Sequence, residues 1–168
     1  RWGFAHLPGA VFYYAKELFS EGLLKEAIET FELYFAVGGG WHDDQVNGRY
    51  LLAMAHLQLG DQEKAINQAM AGIKQDPRWA EFYIIIGQIY YDRAQWHQAI
   101  PWFELAAKIP IPQTLGTIVT ENYTWVPSDR LCKCYSEVGR IHDSYEAAKK
   151  ALAHRPFDSR LQFNVEFL

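Results

Sequence analysis

Only a few residues of this 168-residue chain stand at spacings that chemistry would use. His42-Asp43-Asp44 offers three metal-type donors in a row. Acidic residues just ahead of an apolar helical pattern more often satisfy its first N–H groups, so Asp43 or Asp44 is expected to cap the helix that follows. His97 and His142 each open a helical pattern without an evident ligand partner. Asp61 and Glu63 belong to the polar start of a helix, where acidic groups suit the dipole. Ser, His and Asp occur, yet none sits in a nucleophile elbow or another recognisable catalytic motif. Gly38-Gly39-Gly40 follows a helix and lacks the Lys-Ser or Lys-Thr that completes a phosphate loop. It reads as a helix stop and flexible joint. Cys132 and Cys134 lie two apart in a helical pattern and so point to different faces. Zinc would need further ligands at a matching spacing, and the expected role of Cys132 is that of a small core residue. The chemistry-bearing residues therefore give no catalytic centre, no metal and no cofactor; the expected activity is binding.

Composition narrows what is bound. Hydrophobic residues make up 49% and charged residues 21%, ordinary for a globular domain. Aromatics reach 15%, with six Trp and ten Tyr, and supply flat contact surface as well as core. The net charge of −4, with no run of Lys or Arg, argues against nucleic acid. The longest apolar stretch, residues 82–87, is far short of the roughly 20 residues a spanning helix needs, so no membrane insertion is expected. RWGFAHLPGA has no signal-peptide h-region. Two cysteines make no disulfide framework, which fits a reducing, cytoplasmic setting. With no Met at the start and a helical pattern running into NVEFL, the chain reads as a piece of something longer.

The elements that would position a binding surface emerge from self-similarity. Residues 80–113 place Tyr83, Ile86-Gly87 and Tyr90 ahead of Ala99 and Phe103, and close on Pro110 and Pro112. Residues 46–79 place Leu52-Ala53, His56, Ala65, Ala69 and Pro77 at the same register. Residues 8–41 give Val11, Tyr14-Ala15, Leu18, Ala27 and Phe31, and residues 125–158 give Leu131-Cys132, Tyr135, Ser144, Ala148 and Pro156. This resembles the tetratricopeptide repeat, a helix pair of 34 residues that buries its apolar stripes only by stacking. The expected fold is all-α: an α-α superhelix of four such pairs plus a C-terminal capping helix, one array over residues 1–168. Its repeats fall at about 8–41, 46–79, 80–113 and 125–158, with an insertion at 114–124 and the capping helix at 159–168. Asp158 or Ser159 is the expected N-cap of that helix, and Leu161, Val165 and Leu168 its apolar stripe. Small residues (Ala15, Ala53, Gly87, Cys132) mark the helix crossings. Gly22, Gly60 and Gly139 fall at one turn register that often needs positive φ, where the third repeat has Ala94.

In such folds the first helix of each repeat lines the concave groove. Its outward positions are expected to be Phe12, Lys16 and Phe19, then Asn47, Tyr50 and Met54, then Glu81, Ile84, Gln88 and Tyr91, then Asp129 and Lys133. Chaperone-tail receptors of this class grip a terminal carboxylate with a cluster of Lys, Asn and Arg. At the matching positions stand Phe12, Lys16, Leu51, Glu81 and Ile85, which argues against that role. Tyr123 and Trp125 beside the insertion have two open roles: pinning the loop to neighbouring helices, or contacting a partner.

The order of features also resembles the C-terminal tetratricopeptide tail of bacterial family-2 glycosyltransferases. The matching stretches are LPGAVFYYAKELFSEGLLKEAIETFELYF, WHQAIPWFELAAKIPIP, ENYTWVPSDRLCKCYSEVG and HRPFDSRLQFN. That resemblance implies a non-catalytic scaffold joined to a transferase, orienting an acceptor, recruiting a partner or mediating self-association. The implied partners are a protein or peptide, the catalytic domain of the same chain, or a second copy. The transferase's Asp-x-Asp metal motif is absent from these residues. Two other readings stand beside it: a free-standing adaptor binding a peptide in its groove, and a binder of a small ligand or saccharide through groove and loop aromatics.

Overall fold

The computed structural model describes residues 7–167; residues 1–6, and Leu168 from the expected closing stripe, lie outside them. Among the described residues there are nine α-helices and no strand, so the chain is all-α as expected. The chain divides into two compact units, residues 1–77 with 113–117, and residues 78–112 with 118–168.

The first unit holds α1 (Pro8–Ser20), α2 (Leu24–Val37), α3 (His42–Gln58) and α4 (Gln62–Gln75). Its core gathers Val11, Phe12, Ala15, Leu18, Ala27, Phe31, Tyr34 and Leu52. Gly48 on α3 lets Phe35 approach: a Cβ there would stand 3.3 Å from its ring. The three glycines after α2 have φ of 74°, 82° and 85°. A side chain at Gly40 would begin 2.5 Å from the Tyr34 hydroxyl. The expected joint is thus a conformation only glycine adopts at this cost, and Gln45 Nε2 donates to the Gly39 carbonyl across it at 2.8 Å. α3 already begins at His42, with Trp41 at its N-cap and no side-chain cap bond. Asp43 and Asp44 therefore stand in the first turn, not at the cap, and Asp43 turns to a different partner.

The second unit holds α5 (Ala80–Asp92), α6 (Trp96–Ala106), a 3-10 turn (Thr120–Tyr123), α7 (Val126–Glu137), α8 (Ile141–His154) and α9 (Ser159–Phe167). Ala99, Ile100, Phe103, Leu131, Cys132, Cys134, Tyr135, Ala147 and Ala148 form a core cluster, with Val165 of α9 packed against it. Both cysteines are buried although they are two apart, and burial pushes the Cys134 thiol up to about 12. Gly87 is the tightest crossing: an added Cβ would meet the Phe103 ring at 2.9 Å. Asp158 caps α9, its Oδ1 accepting from the N–H groups of Arg160 and Leu161 at 3.1 Å each.

All four hairpins turn by the same chemistry. After α1, the N–H of Gly22 reaches Phe19 O and that of Leu23 reaches Leu18 O. The same pair of bonds recurs at Gly60 and Asp61, at Ala94 and Gln95, and at Gly139 and Arg140. This crossed pair satisfies the last carbonyls of a helix and demands a left-handed residue. Gly22, Gly60 and Gly139 supply it with φ of 77°, 82° and 77°. Ala94 adopts φ 54° in the same place, at the steric cost its Cβ imposes.

Candidate binding pockets

Helical spacing assembles the main site, in the second unit. Asp129, Cys132, Lys133 and Ser136 stand at i, i+3, i+4 and i+7 on α7 and so share one face. Tyr91 of α5, and Arg160 and Asn164 one turn apart on α9, complete the lining with Arg130 and Ser144. They surround an open cavity of about 510 Å³. At its centre Asp129, 5% exposed, accepts from Arg130 Nη1 at 2.7 Å and from Arg160 Nη2. Arg130 is held again by Gln88, whose Oε1 accepts from Nε at 2.8 Å, and its guanidinium lies 5.5 Å from the centre of the Tyr91 ring. Lys133 pairs with Glu137 and lies 5.9 Å from the Trp96 ring centre. A buried carboxylate clasped by two guanidiniums is held in one geometry, because freeing either partner would strand a charge.

The first unit has a pocket of opposite character, about 400 Å³, lined by Tyr13, Trp41, His42, Asp43, Asp44 and Leu115. Its apolar members stay in solvent, Trp41 at 79% and Leu115 at 99% exposure. His42 Nε2 stands 3.0 Å from Asp76 Oδ2. Burial and the neighbouring Asp43 push the Asp44 carboxyl above the usual range.

The insertion is fastened within each unit. Asp43 Oδ2 accepts from Thr114 Oγ1 at 2.8 Å and from the Leu115 N–H at 2.9 Å, and Asn47 donates to the Thr117 carbonyl at 3.2 Å. In the second unit Glu81 accepts from the Val119 N–H at 2.8 Å and from the Tyr123 hydroxyl. That hydroxyl also accepts from the Ala80 N–H at 3.2 Å. The Trp125 ring lies under the Arg155 guanidinium, 4.3 Å away. Both loop aromatics are thus engaged inside their own unit.

The expected groove residues are placed unevenly. Phe12 is 2% exposed, its ring centre 5.7 Å from that of Tyr34. Asn47, Glu81 and Asp129 are also buried, each spent on the polar bonds above. Lys16, Phe19, Tyr50, Met54, Ile84, Gln88 and Tyr91 are partly buried, and Lys133 is exposed. Tyr91, Asp129 and Lys133 meet at one cavity, beside Gln88. Sequence reasoning missed Arg130, Arg160 and Asn164. Arg160 and Asn164 stand at i, i+4 on α9, a spacing visible in the sequence of the capping helix.

The tetratricopeptide repeat family model matches residues 46–78. This is a tetratricopeptide-repeat fold. Solved tetratricopeptide structures extend the likeness over nearly the whole chain. MamA 41-end from Desulfovibrio magneticus RS-1 superposes with a TM-score of 0.73 at 16% identity, covering 99% of this chain and 85% of that one. YrrB, described as a tetratricopeptide protein with an unusual peptide-binding site, gives 0.66 at 16% identity over 98% and 77%. TTC0263, a thermophilic tetratricopeptide protein from Thermus thermophilus, gives 0.63 at 19% identity over 95% and 80%. No curated protein matches the sequence. Among the described residues of the repeat fold, no helix is long and apolar enough to cross a membrane.

Proposed function

We propose that this tetratricopeptide chain is a non-catalytic module that binds a peptide or an extended segment of a partner protein. The observation that carries the reading is the open cavity of the second unit. It sets one aromatic ring, Tyr91, beside a group of charged and polar side chains that converge on the same open space, and convergent polar groups of this kind fix a ligand's orientation. The peptide-binding site of YrrB, on the same fold, supports the same use of the scaffold. The sequence resemblance supports a finer placement, as the C-terminal part of a family-2 glycosyltransferase in a reducing, cytoplasmic setting. There the bound segment belongs to the catalytic domain, to an acceptor protein or to a second copy. A free-standing adaptor uses the same cavity. Sugar stacking on Tyr123 and Trp125 draws no support from their placement, since each already has a partner.

Two measurements test this. Panning a displayed library of random dodecapeptides on the chain should enrich peptides whose binding is lost in Tyr91→Ala. A chain that enriches nothing is not a peptide binder. The coding sequence preceding Arg1 should encode an α/β domain with an Asp-x-Asp motif; an unrelated domain there sinks the transferase placement and leaves the binding module.

A further inference from the structure

We infer that the cavity of the second unit receives the side-chain carboxylate of an acidic peptide segment, seated on Arg130 and Arg160. This rests on the peptide-binding reading above and names the chemistry of its ligand. The lining carries three cations, Arg130, Lys133 and Arg160, and a single carboxylate, Asp129. With Lys133 matched by Glu137, the two guanidiniums share Asp129 as the one carboxylate of the lining, and Asp158 acts on Arg160 from outside it. A guanidinium has five N–H donors. Arg130 commits one to Gln88 and one to Asp129, and Arg160 commits one to Asp129. Most of this donor capacity is left for a ligand.

The donors are also held in place before any ligand arrives. Asp129 fixes both guanidiniums, Gln88 fixes the Nε of Arg130, and the Tyr91 ring backs its face. A ligand therefore loses little affinity to ordering them. Among the described residues Asn164 Nδ2 finds the Cys132 sulfur as its acceptor, at 3.5 Å, a weak partner that a carboxylate oxygen would displace. Planar, two-pronged carboxylates suit guanidinium forks. Tyr91, backed edge to face by Trp96 with centres 5.2 Å apart, gives the cavity one aromatic surface for the residue next to the acid, which favours a peptide over a bare anion. These are not the positions of the chaperone-tail clamp, which fall on Phe12, Lys16, Leu51, Glu81 and Ile85.

The test uses the dodecapeptides enriched by the whole chain, resynthesised with each Glu or Asp replaced by Gln or Asn and titrated by fluorescence polarisation. The enriched set should be acidic, and the neutralised peptides should bind at least about tenfold more weakly, the loss of one charge-assisted bond. Arg160→Gln, at an exposed position whose folding is checked by thermal melt, should cause the same loss. Enriched peptides without an essential acid, still lost in Tyr91→Ala, would overturn the carboxylate and leave peptide binding standing. No enrichment at all overturns both. Full displacement by millimolar inorganic phosphate marks a free-anion site and overturns the peptide assignment.

Discussion

Asp43 and Glu81 do the same work in different surroundings. Each stands in the first turn of a helix, and each fastens part of the insertion by accepting one hydroxyl and one backbone N–H. Asp43 is partly open to solvent, whereas Glu81 is 1% exposed. The consequence is opposite titration. The Thr114 hydroxyl, with the Leu115 and Gly116 N–H groups and His42, outweighs desolvation and holds the Asp43 carboxyl below its ordinary value. At Glu81 desolvation outweighs the Tyr123 and Val119 bonds, and the carboxyl is raised. Two anchors built from the same kinds of bond are therefore not equal; the solvent given up on folding opposes those bonds far more at Glu81.

The sharpest way to break this comparison is truncation of the buried partner. Glu81→Ala leaves the Tyr123 hydroxyl and the Val119 N–H without their acceptor and opens a void, at a cost of about 3 kcal/mol. A urea melt of the variant should show the loss, and an unchanged midpoint would mean that the buried anchor is worth no more than the exposed one. Packing offers a parallel pair. Gly87→Ala drives a methyl to within 2.9 Å of Phe103, which a packed core resists at about 1–3 kcal/mol. Gly48→Ala meets Phe35 only at 3.3 Å, and its melt should move much less. Equal shifts would deny that the second unit is the tighter of the two at its helix crossings.

Repeat architecture was legible because it rests on periodic, local signals. The Gly22, Gly60, Ala94 and Gly139 register announced four identical turns, and Ala15, Ala53 and Gly87 announced the close crossings. Polar partnership was not legible in the same way. Asp43 reads as a helix cap in sequence, yet its acceptors serve residues about seventy positions later. Glu81 reads as an outward groove position, yet it is buried and bonded to Tyr123, 42 positions later. The Arg130–Asp129–Arg160 group joins two helices through side chains, and the one-turn spacing of Arg160 and Asn164 on α9 does not name the partner on α7.

Tyr123→Phe sharpens the comparison without emptying the site. It removes the Tyr123 bond, the foremost of those that offset desolvation of Glu81, and should cost about 1–2 kcal/mol. It should also raise the Glu81 carboxyl further. Glu81→Gln tests the sign directly. A raised folded-state value means that the folded chain takes up the proton more readily than the unfolded one. The contribution of Glu81 is thus largest below the ordinary glutamate value and falls as pH rises through the raised one. Stability of the wild type relative to Glu81→Gln should decline across that window in urea melts, and a flat difference would place the carboxylate in water.

The smallest effect is expected at the other anchor, where the sign reverses. Asp43→Asn weakens the bonds from Thr114 and Leu115 at a site that water can reach, so about 0.5–1 kcal/mol should be lost at neutral pH. Because the folded Asp43 carboxyl is held below its ordinary value, its contribution is present above that value. It fades as pH falls through the depressed one. The difference between wild type and Asp43→Asn should therefore shrink on acidification, while the difference at Glu81 grows in favour of the wild type. Two profiles running in the same direction would show that the solvent around the two carboxylates does not differ as their burial requires.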